Sequence, residues 1–361
     1  ISAIILKLHE KTMKNKRLIL PDLIKGLAVL LMIQVHIMEL FARQDVYDGF
    51  SGQISLFLGG IPAAPVFMLM MGYLMALKSK SSVDMLKRGI RLFIGGIFLN
   101  IGMNFHLIYN IIFKNWNYNL WNYVFGADIL TLAGLSLIIF VLIHKLANDN
   151  YLIYFIIAFI IAILRYFFSS LDLETSYWRY VLSFIIGGTS WSYFPLIPWL
   201  AYPVLGYGLK LLNNKYSFSS IMNKFWSNLA LILITLTLIL SFNYGFSNSY
   251  LLTNYYHHRM LFFLWAMAFM IVWFYGWYQI SELLKSTIFF EFLLFLGKNV
   301  TSIYVIQWLI IGNLSTEFYK TKNLEESVMW FFVILFISST STYFISQTRF
   351  YFTSKKRQKI E

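Results

Sequence analysis

Residues 17–42 read RLILPDLIKGLAVLLMIQVHIMELFA, a run long enough to cross a bilayer, which takes about 20 apolar residues. The run nevertheless carries Asp22, Lys25, His36 and Glu39. At ~100° per residue, the steps from Lys25 to His36 come round to ~20° and those from Asp22 to His36 to about −40°. Three ionisable side chains therefore share one stripe of a single helix. His36 stands ~16 Å beyond Lys25 at ~1.5 Å per residue, and Glu39 follows one turn later, within reach of the ring. Ionisable groups inside a membrane are expensive and face a polar interior or a substrate path. Taken singly, Asp22 and Lys25 read as headgroup anchors and His36 as a satisfied core histidine. Taken together, the stripe reads as functional, because charges turned toward lipid would cost several kcal/mol without return.

The remaining sequence puts this helix in a membrane protein. The chain is 59% hydrophobic and 12% charged, and its apolar runs are continuous rather than alternating with period two. This reads as an all-α polytopic bundle and excludes a β-barrel. With no cysteine, disulfide frames, thiol nucleophiles and cysteine metal sites are excluded. About ten spans are predicted, near 17–42, 54–77, 92–113, 127–146, 151–168, 191–211, 226–243, 260–280, 300–314 and 328–347, with a short helix over 287–296 before the ninth. Pro62 and Pro65 should kink the second. Placing both termini in the cytoplasm leaves 21 Lys or Arg on inner segments and seven on outer ones, Lys25 set aside as intramembrane, which decides the orientation. This distribution, alternating between the two sides of the spans, also argues that the net charge of +13 serves membrane topology and not nucleic acid. Residues 1–18 read as a basic cytoplasmic segment, suited to a short amphipathic helix and not to a cleavable leader. Residues 19–347 read as the transmembrane domain, and 348–361 as a basic cytoplasmic tail.

Three constellations could carry chemistry. His36 has the side chain best suited to take a proton from a hydroxyl or amine near neutral pH, with Glu39 placed to orient its imidazole. Lys87, Arg88 and Arg91 open the third span. The two arginines share a helix face and suit the phosphates of a cytosolic nucleotide-bearing donor, although positive-inside anchors would look the same. His257, His258 and Arg259 stand at the outer mouth of the eighth span, where they would bind an anionic or hydroxyl-bearing acceptor or form a solvated loop. Asn104, His106 and Asp128 add polar groups to the outer halves of spans three and four, for a site or for pairing with one another. Trp116, Trp121, Trp178 and Trp191 would stack sugars or form an interfacial belt. No phosphate loop, Walker pattern or zinc spacing is present, so ATP-driven transport and metal hydrolysis have no support and no metal is expected.

At these residues the chain resembles the integral-membrane acyltransferase-3 family, whose hallmark is Arg or Lys, ten residues, then His. Lys25 and His36 match that spacing. Arg88-Gly-Ile-Arg91 resembles the family's Arg-x-x-Arg element, PVFMLMMGYLMA its Phe…Gly pattern, and LGKNVTSIYVIQW, with Lys298, its late Gly-Lys-x-Ser-Tyr element. The stretch FPLIPWLAYPVLG is similar instead to the heparan-α-glucosaminide N-acetyltransferase group. Two positions depart from these patterns. Gln307 stands where acyltransferase-3 members often have a second His, and 43–54 lacks the loop His of the heparan-type enzymes. The resemblance implies a bundle of ten or eleven spans passing an acyl group from cytosolic acyl-CoA to a glycan on the outer face. It implies His36 as the catalytic base, Lys25 as a motif partner, and Arg88 and Arg91 as ligands of the coenzyme A phosphates. Asp22 and Glu39 join the catalytic candidates, and Lys87 and Lys298 the candidate coenzyme ligands. Gln307 falls among the substrate-binding positions.

These readings combine into an O-acyltransferase of the bacterial cell membrane. Acetyl-CoA would be its co-substrate, a surface or lipid-linked glycan its acceptor and the bilayer its surroundings, and N-acyl transfer to an amino sugar is open. An exporter of lipid-linked glycan without chemistry is the alternative from another class, since it too would use intramembrane charges and an aromatic vestibule. An ion-coupled pump built on Asp22, His36 and Glu39 lacks the inverted repeat of broken helices that it would need.

Overall fold

The computed structural model describes residues 19–77, 81–168, 171, 173–216 and 225–358, with side chains through 348. The expected helix of residues 1–18 lies outside them. The first long helix, α1 (Ile19–Leu40), is followed by α2 (Phe50–Gly60) and α3 (Ala64–Met75). Pro65 sits in the first turn of α3, where its missing N–H costs nothing, and a turn at 61–63, which includes Pro62, separates α2 from α3. Next come α4 (Ser82–Met103), α5 (Phe105–Phe113), α6 (Ile129–Ala147), α7 (Tyr151–Leu164) and α8 (Ala201–Lys215). The second half holds α9 (Phe225–Leu240), α10 (Phe242–Tyr250), α11 (Met260–Leu284), α12 (Ile288–Lys298), α13 (Val300–Phe318) and α14 (Leu324–Gln358). Among the described residues there are only isolated bridges and no strand.

Five of these helical stretches, α1, α2 with α3, α6, α11 and α14 through Thr348, are long and apolar enough to cross a membrane. Three bent pairs bring the number to eight: α4 with α5 at 61°, α9 with α10 at 63°, and α12 with α13 at 83°. The fifth and sixth expected spans correspond to α7 and α8, of 14 and 15 residues, shorter than the rest. The breaks share one device. A bend frees backbone carbonyls that lipid cannot satisfy. At each break the polar residue between the two helices donates from its side chain to the carbonyl four residues back: Asn104 to Asn100, Ser241 to Thr237, and Asn299 to Phe295.

The centre of the bundle is α1. It packs against α2, α3, α11, α12, α13 and α14, and 61% of its most apolar window is buried, less than the 72% of α2 with α3 and far more than the 17% of α14 at the periphery. Its tightest neighbour is α12. A Cβ on Gly26 would run into the Leu293 carbonyl, and one on Gly297 into the Asp22 carbonyl. The two backbones therefore lie in direct contact, each through a glycine of the other's partner turn, as small residues permit between membrane helices. Beyond its end, α1 is held by the loop before α14. Lys320 N donates to Leu40 O at 3.0 Å, Lys322 N to Phe41 O at 2.8 Å, and Arg43 N to Lys322 O at 2.7 Å.

Candidate active site

A cavity of about 780 Å³ lies against the second half of α1. Met32, His36 and Glu39 face it from α1, Asn100 and Asn104 from α4, and Tyr304 and Trp308 from α13. Asp128, Tyr193, Tyr256 and Tyr319 add to its polar and aromatic lining.

His36 is gripped by two consecutive residues of α13. Gln307 Nε2 lies 3.3 Å from His36 Nδ1, and the Trp308 ring sits over the imidazole at 4.1 Å between centroids. Tyr304, one turn earlier on the same face, donates its hydroxyl to Asp128 Oδ2 at 3.3 Å. The other carboxylate oxygen of Asp128 caps α6, accepting from Leu130 N at 3.1 Å and Thr131 N at 2.8 Å, so the capping chemistry of an N-cap aspartate fixes its position. Asn100 donates to the Val124 and Gly126 carbonyls at 3.1 and 2.8 Å, which ties the cavity wall of α4 to the turn before α6.

The expected partnership of Glu39 with the His36 ring is replaced by another. Glu39 faces the Tyr256 hydroxyl and the Lys320 ammonium. Turned that way, it leaves the imidazole to Gln307. Lys320 is delivered by the pinned loop, with a left-handed φ of 57°, and its ammonium rests on the Tyr47 ring at 3.4 Å, a cation–π contact. Burial lowers the Lys320 pKa, with Glu39 and Asp48 opposing that shift. Burial also pushes the Tyr47 hydroxyl up to about 12.

The other expected site residues are placed as follows. Asp22 and Lys25 pair with each other at 2.8 Å, their side chains 5% and 14% exposed, and neither lines the cavity. Lys87, Arg88, Arg91 and Lys298 are exposed, with Arg91 Nε donating to Lys87 O at 3.2 Å. His106 lies beside the cavity, 3.4 Å from Glu317. His257, His258 and Arg259 are not brought to it. His258 is buried in the core, its Nδ1–H donating to Tyr255 O at 2.8 Å and its Nε2 accepting from the Tyr202 hydroxyl at 3.0 Å, so it is a satisfied structural histidine. Burial holds His257 and His258 down at about 4. Arg259 lies over the Tyr166 ring at 5.8 Å. Of the four tryptophans, Trp116 lines the cavity, Trp121 and Trp178 are exposed, and Trp191 is buried. Among the described residues no group of three His, Asp or Glu side chains is placed to hold a metal ion.

Sequence reasoning missed Asn100, Trp308 and Lys320 and carried Tyr304 only as part of the late Gly-Lys-x-Ser-Tyr element, without a role. Asn100, Tyr304 and Trp308 carried a readable signal, since Tyr304, Gln307 and Trp308 recur at helical spacing on one face and Asn100 precedes Asn104 by one turn. Lys320 carried none.

A family model for the acyltransferase domain of this type matches residues 19–346, from the first turn of α1 to the second half of α14. The chain belongs to the acyltransferase-3 family. It is a multi-pass membrane acyltransferase, and the match gives no support to the exporter reading. No curated protein and no solved structure matches the chain. In this acyltransferase-3 member the hallmark pair is divided. His36 faces the cavity, and Lys25 is ion-paired outside it.

Proposed function

We propose that this acyltransferase moves an acetyl group from cytosolic acetyl-CoA to a hydroxyl of a cell-surface or lipid-linked glycan on the outer face of the bacterial cell membrane. One observation carries the reading. Three helices converge on a single cavity with their later residues, His36 and Glu39 from α1, Asn100 and Asn104 from α4, and Tyr304 and Trp308 from α13. Cations stand at the start of each of them: Lys25, then Lys87 with Arg88 and Arg91, then Lys298 just ahead of α13. Charge for an anionic donor and a polar, aromatic chamber for an acceptor therefore occupy opposite ends of the same three helices. Guanidinium forks suit the phosphates of coenzyme A. Tyrosine rings and amides suit the apolar faces and hydroxyls of a sugar.

In the proposed reaction Arg88 and Arg91 hold the coenzyme at the cytoplasmic end, and His36 accepts the proton of the acceptor hydroxyl. The oxygen bonds to the acyl carbon, the carbon–sulfur bond breaks, and His36 returns the proton to the departing sulfur. Glu39 and Lys320 grip the acceptor at the mouth. Residues 19–347 form the acyltransferase domain, with the basic segments 1–18 and 348–361 on the cytoplasmic side.

The test uses membrane vesicles of the expressing host and [14C]acetyl-CoA, with label followed into the glycan fraction. His36→Ala should abolish incorporation while leaving expression and melting unchanged; retained incorporation overturns the assignment. In detergent, acetyl-CoA and free coenzyme A should raise the melting temperature. That shift should be lost in Arg88→Ala and Arg91→Ala. No shift with either coenzyme overturns the donor.

A further inference from the structure

We infer that Gln307 is the positioning residue of His36, and that its amide turns over to set which nitrogen of the imidazole presents a free electron pair to the cavity. The inference rests on the reading of His36 as the base. It begins from an unbalanced contact. Gln307 is completely buried, its Nε2 is 3.3 Å from His36 Nδ1, and its Oε1 is buried without a hydrogen-bond partner. An unpaired buried acceptor is costly, and an apolar side chain of the same shape would pack without that cost. The amide is accounted for if its oxygen has a partner in another state of the site.

A half-turn about the last torsion exchanges Oε1 and Nε2 while moving no other group. With Nε2 against Nδ1, the ring accepts there and its proton sits on Nε2. The imidazole then offers the cavity a donor and no base. With Oε1 against Nδ1–H, the proton is held on Nδ1 and Nε2 is free to accept. After His36 has taken the acceptor's proton both ring nitrogens are donors, and only Oε1 can meet Nδ1–H. The amide matches the ring in each state by a local rotation, with Trp308 keeping the ring plane in place at 4.1 Å. No new bond is made or broken beyond the transfer already described. The proton passes from the hydroxyl to Nε2 and then to the thiolate sulfur.

The charged groups lining this part of the cavity are Glu39 on α1 and Asp128 at the start of α6, with Lys320 facing Glu39. Tyr304 on α13 and, around the chamber, Tyr118, Tyr123, Tyr193, Tyr255, Tyr256 and Tyr319 add phenols, and α2 and α4 contribute apolar groups and the neutral Asn100, with Asn104 just beyond α4. These stay constant among variants of residue 307, so a change in pH dependence reports on residue 307 alone.

The experiment compares wild type, Gln307→Leu, Gln307→Glu and His36→Ala, using [14C]acetyl-CoA with host membrane vesicles and, separately, protein labelled with 15N-histidine. The His36 signals are assigned by their loss in His36→Ala. In the resting wild type, where Gln307 Nε2 meets Nδ1, they should show the Nε2–H tautomer at neutral pH, in Gln307→Glu the Nδ1–H form, and in Gln307→Leu a mixture. Gln307→Leu should lower kcat by roughly tenfold to a hundredfold, the usual cost of losing a partner that orients a functional ring, with the acetyl-CoA KM unchanged. Gln307→Glu should move the acid limb of the kcat profile to higher pH by about one unit, since a carboxylate favours the charged imidazole. If Gln307→Leu does not fold, Gln307→Glu decides. Wild-type spectra and a wild-type acid limb in the variants overturn the inference. Retained transfer in His36→Ala overturns instead the assignment of His36 as base, and leaves the tautomer measurement to judge Gln307 independently.

Discussion

The indole of Trp308 covers the imidazole of His36 at 4.1 Å between ring centroids, with the planes tilted by 37°. A contact of this kind is worth ~0.5–1.5 kcal/mol beyond area burial, enough to hold a ring in one orientation. Trp308→Leu should therefore lower kcat by about tenfold, because the proposed base, once misplaced, loses rate steeply. Trp308→Phe, which keeps an aromatic face, should retain most of the activity. The KM for acetyl-CoA should not change in either variant. Equal loss in both would show that the indole serves some purpose other than stacking.

Gly26 and Gly297 set the position of α1 and hence of His36. Each leaves no room for a Cβ against a backbone carbonyl of the opposite helix. Backbone cannot swing aside as a side chain can, so an alanine at either position pushes α1 and α12 apart. The expected destabilisation is about 1–3 kcal/mol for each substitution, seen as a lower Tm in detergent. Because both relieve the same contact, the double variant Gly26→Ala, Gly297→Ala should cost less than the two single losses added together. Additive losses would mean that the helices do not meet there.

The parts of this molecule that follow from local pattern were legible in the sequence. The spacing of Lys25 and His36 pointed to the family, and apolar length located α1, α6, α11 and α14, whereas the stripe itself is divided, with His36 at the cavity and Lys25 paired with Asp22 outside it. The break at Asn299 was expected, as a short helix over 287–296 ahead of the ninth span, whereas the bends at Asn104 and Ser241 were not legible. A bend inside an apolar run needs no proline when a side chain repairs the backbone four residues back, so the run reads as continuous. His257 and His258 looked like a site because adjacent histidines at a helix mouth resemble one. Whether a histidine is satisfied depends on Tyr202 and Tyr255, and only the fold supplies those. Lys320 was invisible for a related reason, since it reaches Glu39 through loop pairing across 280 residues of chain.

His258 makes stability depend on pH. Its folded-state value is held near 4 by burial, below the ordinary 6.5. The unfolded chain binds a proton as pH falls below 6.5 while the folded chain does not, so stability is full above that value and is lost between pH 6.5 and 4. His258→Gln keeps a neutral hydrogen-bonding side chain without the titration. It should lower Tm at pH 7.5 and show a shallower fall of Tm between pH 6.5 and 4.5 than the wild type. An identical fall in both proteins would place the acid sensitivity elsewhere.

Glu39 separates two roles that a sequence alone assigns together. A carboxylate orienting the imidazole would act on kcat and on its pH profile, whereas one gripping the acceptor would act on the acceptor KM. The structure turns Glu39 toward Tyr256 and Lys320, and Lys320 is fixed from the other side by Tyr47 and by its backbone bond to Leu40. Glu39→Gln and Lys320→Gln should therefore each raise the half-saturating amount of acceptor by about tenfold, roughly 1.4 kcal/mol of binding. The acetyl-CoA KM and the acid limb of the rate profile should stay in place. Since the two groups face each other, the double variant should lose less than the product of the single losses. An acid limb displaced in Glu39→Gln, with acceptor saturation unaltered, would return Glu39 to the imidazole and remove Lys320 from the acceptor site.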